Sequence, residues 1–197
     1  MAEDGSSPCP PSLAWAALLH DIAKPATFTV DEEGRGHFFG HPERGAELSR
    51  KIMRRLALPE ALVRDACLLI RYHDRPLRDE PASLLGQMRL LSGCGADAAP
   101  LMDLLLDLKR ADALGKAPGC FSYVDEIERM RATAHALIAS GAAWSLKTLA
   151  LSGADLIQAG IAPGSEIGLL LNKALDAQIA GGVENERGAL LTHLGLG

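Results

Sequence analysis

Apolar residues recur along much of this chain at intervals of three and four, the spacing that lines one face of an α-helix. The repeat predicts helices over residues 13–22, 41–57, 59–72, 84–91, 99–114 and 122–139. The first should stop before Pro25, because the residue preceding a proline is pushed out of the α region. Pro59 suits the opening turn of the third. Two stretches break the pattern. In TFTVDEEGRGHFFGH, residues 27–41, apolar positions alternate around a glycine turn, which reads as a short β-hairpin or an irregular loop. RPLRDEPAS, residues 75–83, reads as a loop. Beyond Ser140 short helices joined by Gly and Pro turns are expected. The organisation predicted is all-α: a disordered tail over 1–12, a helical bundle over 13–140 and a small helical appendage over 141–197.

Against that background the polar residues on apolar stripes stand out. Leu62, Ala66, Leu69 and His73 follow steps of four, three and four, as do Leu101, Leu105, Leu108 and Asp112. A third stripe begins with His41 and continues through Gly45, Leu48 and Ile52; Leu13 and Ala17 lead to His20. Four helices thus each aim an ionisable group inward. Burying one such group without a partner costs several kcal/mol, so a fold with four should gather them on something that satisfies all. A divalent metal does this: neutral imidazoles and carboxylates suit Mn, Fe, Co, Ni or Zn, and mixed His/Asp sets favour hydrolytic chemistry.

Composition changes this picture little. At 197 residues, 48% apolar and 4% aromatic, the chain is an ordinary globular protein rich in helix formers. A net charge of −5 supplies no global field for nucleic acid. A local exception is the run Arg50, Lys51, Arg54, Arg55, which helical spacing gathers into a basic patch suited to a nucleotide or an RNA backbone. No exposed aromatics are expected among these residues, hence no base-stacking platform. His37, His135 and His193 are expected to be surface or local structural residues. Cys9, Cys67, Cys94 and Cys120 form no CxxC pair and are expected as reduced thiols. The acidic, proline-rich start does not resemble a secretory signal, and no apolar run reaches membrane-spanning length. A cytoplasmic protein is expected.

The segment ALLHDIAKP carries a His–Asp doublet, His20 and Asp21. After it come FFGHPERGAELSRKIMRRL, LIRYHDRPL, LLDLKRADALG and the tail DLIQAGIAPGSEIGLLLNKALDAQIAGGVENERGALL. In this order, from Trp15 to Leu191, the segments resemble the HD superfamily of metal-dependent phosphohydrolases. More narrowly, they are similar to the C-terminal half of bacterial CCA-adding tRNA nucleotidyltransferases and their poly(A) polymerase relatives. The resemblance implies an all-helical fold with a metal held by His20, Asp21, His41, His73 and Asp112. Asp74 occupies a place where relatives can have a second polar ligand, and its own stripe of Val63, Cys67 and Ile70 points inward. One or two divalent ions are implied, Mn, Ni, Co, Fe or Zn, with Mg also compatible.

Two departures from the family pattern shape the functional expectation. No histidine precedes the doublet, where the superfamily pattern normally opens with one, and nothing upstream accommodates a nucleotidyltransferase domain. The chain is therefore not expected to add CCA by itself. The leading expectation is a phosphohydrolase acting on a nucleotide, a cyclic phosphodiester or an RNA end. Asp21 would bridge or bind metal, Lys24 would neutralise charge on the phosphate, and Arg71 and Arg75 would clamp its oxygens. The competing expectation is a noncatalytic module that binds tRNA, another RNA or a partner, or the downstream part of a split or shortened tRNA nucleotidyltransferase. Metal-ligand retention favours the first and the missing histidine the second.

Overall fold

The computed structural model describes residues 9–116 and 122–197. The expected disorder of residues 1–8 and the thiol of Cys120 lie outside the described residues. Cys9, Cys67 and Cys94 are free thiols. The fold is all-α. Helices α1 (Pro11–Leu19), α2 (Lys24–Thr27), α3 (His41–Arg55), α4 (Glu60–Tyr72), α5 (Pro81–Leu91), α6 (Ala98–Gly115) and α7 (Ser122–Ala139) are followed by α8 (Gly153–Gln158), α9 (Ser165–Ile179) and α10 (Arg187–His193). Between α2 and α3 lies a hairpin of two-residue strands, β1 (Thr29–Val30) and β2 (Gly36–His37), antiparallel with Thr29 opposite His37. Among the described residues no helix is long and apolar enough to cross a membrane.

The chain divides into two compact units. The first comprises the described residues of Met1–Pro76 and Asp103–Val124; the second comprises Leu77–Met102 and Asp125–Gly197. In the first, α4 packs against both α1 and α3. Ala16, Leu19, Met53, Val63, Leu69, Ile70, Leu105 and Leu106 are buried there. In the second, a cluster of Ala143, Leu149, Leu151, Leu156, Ala174, Leu175, Leu190 and Leu191 joins α8, α9 and α10.

Prolines shift three predicted boundaries. Pro11 and Pro81 open α1 and α5, and Pro25 sits in the first turn of α2. A proline in a helix's first turn loses no hydrogen bond, because the amide there has no intrahelical partner. Helix α1 therefore begins two residues before the expected start, and α5 begins inside the expected loop. Helix α1 also ends at Leu19 rather than Ile22. Residues 20–23 form a turn, with Ile22 N donating to Leu19 O at 3.1 Å and Lys24 N to Asp21 O at 3.0 Å. The buried face of α1 is Ala16 and Leu19, while Ala17 is exposed, so the predicted Leu13–Ala17–His20 stripe is corrected.

Candidate metal centre

His20 caps the C-terminus of α1, and Asp21 follows in the turn. His41 is the first residue of α3, placed there by Gly40, whose φ of +75° suits a glycine. His73 caps α4, and Asp112 lies on the last turns of α6. Helix ends and a turn thus supply the ionisable groups, where departing backbone leaves carbonyls free to orient them.

One hydrogen-bond arrangement is shared by the three imidazoles. The Nδ1 of His20 lies 2.9 Å from Ala17 O, that of His41 2.9 Å from Phe38 O, and that of His73 2.7 Å from Ile70 O. A carbonyl oxygen only accepts, so each Nδ1 carries the proton, and each neutral ring presents a bare lone pair at Nε2. Metal-binding histidines are characteristically oriented this way. Burial, foremost, holds His73 below the usual imidazole range and so in its neutral form.

The Nε2 atoms converge. His41 Nε2 is 3.3 Å from His73 Nε2, an approach of two lone pairs that no proton bridges while both rings are neutral. Asp21 Oδ1 lies 3.5 Å from His41 Nε2 and 3.7 Å from His73 Nε2, buried and without a hydrogen-bond partner. His20 Nε2 stands 3.3 Å from Asp21 Oδ2 and 3.9 Å from Asp112 Oδ1. One ligand atom each from His20, Asp21 and His73 falls within 4.8 Å of the other two. Ligand atoms about 2.0–2.2 Å from a common ion lie no more than about 4.4 Å apart, and the individual contacts of 3.3–3.9 Å given above meet that limit. Acceptors facing acceptors, with an orphaned carboxylate oxygen among them, fit a divalent cation.

The neighbouring charges divide into those tied to the cluster and those at its edge. Burial pushes the Asp21 carboxyl up, but the hydrogen bond from Lys24, foremost, outweighs it and holds the group below the usual range. Lys24 Nζ reaches Asp21 Oδ2 at 2.7 Å. Asp112 Oδ2 accepts from Lys116 Nζ at 2.6 Å. Asp74 is exposed, because α4 has ended and its stripe no longer governs where the side chain points. Arg75, Lys109, Asp112 and Lys116 line a cavity of about 270 Å³ that also includes His73. Arg71 and Arg75 border a second, of about 310 Å³, with Glu43 and Asp74. Arg50, Lys51, Arg54 and Arg55 are all exposed on α3, but Arg54 is engaged by Glu60 through bonds of 2.8 and 2.9 Å.

Lys109 was not anticipated. Its buried ammonium donates to the carbonyls of His73 at 2.6 Å and Arg75 at 2.8 Å, pinning the turn that carries His73. Burial pushes its pKa down to about 8. The signal was present: Lys109 lies three residues before Asp112, on the same helix face. The expectation for His37 is also sharpened, since its Nε2 pairs with Asp31 at 2.7 Å.

The HD domain family matches residues 5–116, and the family described as tRNA nucleotidyltransferase domain 2 matches residues 126–194. The A-adding tRNA nucleotidyltransferase of Deinococcus radiodurans is 35% identical over 176 residues, covering 87% of this chain and 38% of that protein. The CC-adding tRNA nucleotidyltransferase of Thermus thermophilus is 41% identical over 70 residues, 35% of this chain and 16% of that one. The chain thus spans well under half the length of these curated relatives. No solved structure matches. The family match over residues 5–116 contains the whole cluster of His20, Asp21, His41, His73 and Asp112, and the chain belongs to the HD domain family.

Proposed function

We propose that this chain is a metal-dependent phosphohydrolase whose substrate is a nucleotide, a cyclic phosphodiester or an RNA end. The observation that carries the reading is the buried, unpaired Asp21 Oδ1 facing the Nε2 lone pairs of His41 and His73, with His20 Nε2 beside the other Asp21 oxygen. His20, Asp21, His41, His73 and Asp112 would hold the ion. A divalent metal bound there supplies Lewis acidity toward a phosphoryl oxygen and lowers the pKa of water. The residues around it have separable tasks. Backbone carbonyls of Ala17, Phe38 and Ile70 keep the imidazoles in the ligating tautomer, and Lys109 fixes the His73 turn. Arg75, lining the cavity beside His73 and Asp112, would receive phosphate oxygens by its planar fork, whereas Lys116 in the same cavity is tied to Asp112 and would have to exchange that partner. Lys24 is tied to Asp21 and reaches phosphate only by exchanging that partner.

The test is elemental analysis by plasma mass spectrometry on untagged protein, beside the Asp21→Ala variant, followed by phosphoester hydrolysis assays. One or two equivalents of a transition metal per chain, lost in the variant together with hydrolysis, is the expected result. Failure to take up Mn, Ni, Co or Zn ends the hydrolase reading.

A second reading is favoured by the match of residues 126–194 and by the two tRNA nucleotidyltransferase relatives: an RNA-binding module, or part of a tRNA nucleotidyltransferase. On that reading the double change Arg54→Glu with Arg55→Glu lowers the slope of log affinity for tRNA against log salt by about 1–2. The ion pair with Glu60 places the expectation at the low end. An unaltered slope removes α3 as the RNA-binding face.

A further inference from the structure

The turn that delivers His41 also presents an aromatic surface that the metal chemistry does not require. Asp31 anchors it: its carboxylate accepts from the amides of Glu33 at 3.1 Å and Arg35 at 2.8 Å, from Arg35 Nε at 3.0 Å, and pairs with His37 Nε2 at 2.7 Å. With its ring so fixed, His37 stacks on Phe39, the centroids 4.9 Å apart and the planes inclined by only 11°. Phe39 is 77% exposed. Beneath it the hairpin is braced by Phe28 against Phe38 at 5.4 Å, and by the same Phe28 ring over Gly36, where an added Cβ would come within 2.7 Å. An exposed phenyl ring on a pre-formed stack gains nothing from folding and leaves apolar surface in water.

The platform is joined to the metal centre by covalent and hydrogen-bonded structure. Phe39 precedes His41 by two residues, and the Phe38 carbonyl accepts from both the His41 amide at 3.1 Å and the His41 ring at 2.9 Å. A cavity of about 390 Å³ is lined by Phe39 and His37 together with Lys24, His41 and Asp74. Small-molecule sites occupy roughly 300–1,000 Å³. The basic run itself carries no aromatics, as expected; the exposed ring stands on the hairpin, away from that run.

Building on the phosphohydrolase reading, we propose that this cavity is a nucleobase subsite, with the base stacked on Phe39 and its phosphate directed toward the His41 end. The substrate class is then a nucleoside phosphoester, free or at the end of an RNA, rather than a simple sugar phosphate. Stacking is tolerant of base identity, since every base offers a π face.

The subsite is tested by titrating AMP, ribose 5-phosphate and a short oligoadenylate into chelator-treated full-length protein, with binding followed by nuclear magnetic resonance. AMP binds roughly 5- to 150-fold more tightly than ribose 5-phosphate, the range expected for stacking one base. In Phe39→Ala the two affinities converge, and in Phe39→Trp the preference persists. Phe39 is exposed, so its truncation leaves the core intact. Tighter binding of oligoadenylate than of AMP identifies an RNA end as the base's source; equal binding identifies the free nucleotide. Equal affinities for AMP and ribose 5-phosphate in the unaltered protein, no AMP binding, or a preference that survives Phe39→Ala overturns the subsite. Hydrolysis is read separately with the metal-loaded protein. Hydrolysis without base preference removes the subsite alone, and base preference without hydrolysis removes the hydrolase reading alone.

Discussion

Asp21 and Asp155 are both held below the usual carboxylate range, and they arrive there in opposite ways. Asp155, in the second unit, is surrounded by donors. It accepts from the Ser152 hydroxyl at 2.6 Å, the Ser152 amide at 2.9 Å and Arg187 Nε at 2.6 Å, while Asp155 N donates back to Ser152 Oγ, a complete capping box on α8. The Ser152 hydroxyl is the foremost cause of its lowered pKa, followed by Arg187. Arg187 also reaches Gln158 at 3.1 Å, so α10 is tied to both ends of α8. Asp21, in the first unit, has one oxygen on Lys24 and leaves the other buried among imidazole lone pairs with no donor. A carboxylate whose oxygens are all met by donors is finished as structure; one that faces other acceptors is finished only by a cation. That difference singles out Asp21, and not Asp155, as the ligand candidate.

Three measurements press on that contrast. The largest effect is expected from metal itself. At 100-fold excess over its Kd, metal should stabilise the protein by about 2.7 kcal/mol. That gain disappears in Asp21→Ala and is retained in Asp155→Ala, as read from urea unfolding with and without Mn. Equal gains in both variants would show that Asp21 is not a ligand. Next, Ser152→Ala removes a helix cap and should cost about 1 kcal/mol, again leaving the metal-induced gain intact. The smallest effect is a pH dependence. Because the folded Asp155 carboxyl sits below its unfolded value, its contribution is present above the ordinary carboxylate pKa and is lost as pH falls through the folded value. Stability curves between pH 5 and 3 should therefore fall less steeply for Asp155→Asn than for the unaltered protein. Parallel curves would mean that the exposed cluster contributes nothing to stability.

Much of the helical framework was legible because burial imposes a period. The stripes ending at His73 and Asp112 predicted helices α4 and α6, and Leu69, Leu105 and Leu108 are buried as the spacing required. The same arithmetic misplaced α1, where His20 is the cap of a helix that has already ended and Ala17 faces outward. It also overextended to Asp74. Both errors have one origin: periodicity describes the inside of a helix, whereas the candidate ligands sit at helix ends, where side chains take directions set by caps and turns. The hairpin's aromatic stack was illegible for a related reason. His37 and Phe39 are separated by one residue, a spacing that says nothing of a stack until Asp31 fixes the imidazole.

By itself, then, the sequence determined the all-α class and most helices of the bundle, because apolar spacing is a local property of the chain; spacing also singled out His20, His41, His73 and Asp112 as candidates, and the HD resemblance added Asp21. Only the tertiary structure decided that the Nε2 atoms of His41 and His73 meet Asp21 Oδ1 without a donor between them, that Lys109 pins the His73 turn, and that Phe39 stands exposed beside His41. Those are distances between segments remote in sequence or around tight turns, settled by packing and hydrogen-bond closure, which no one-dimensional period encodes.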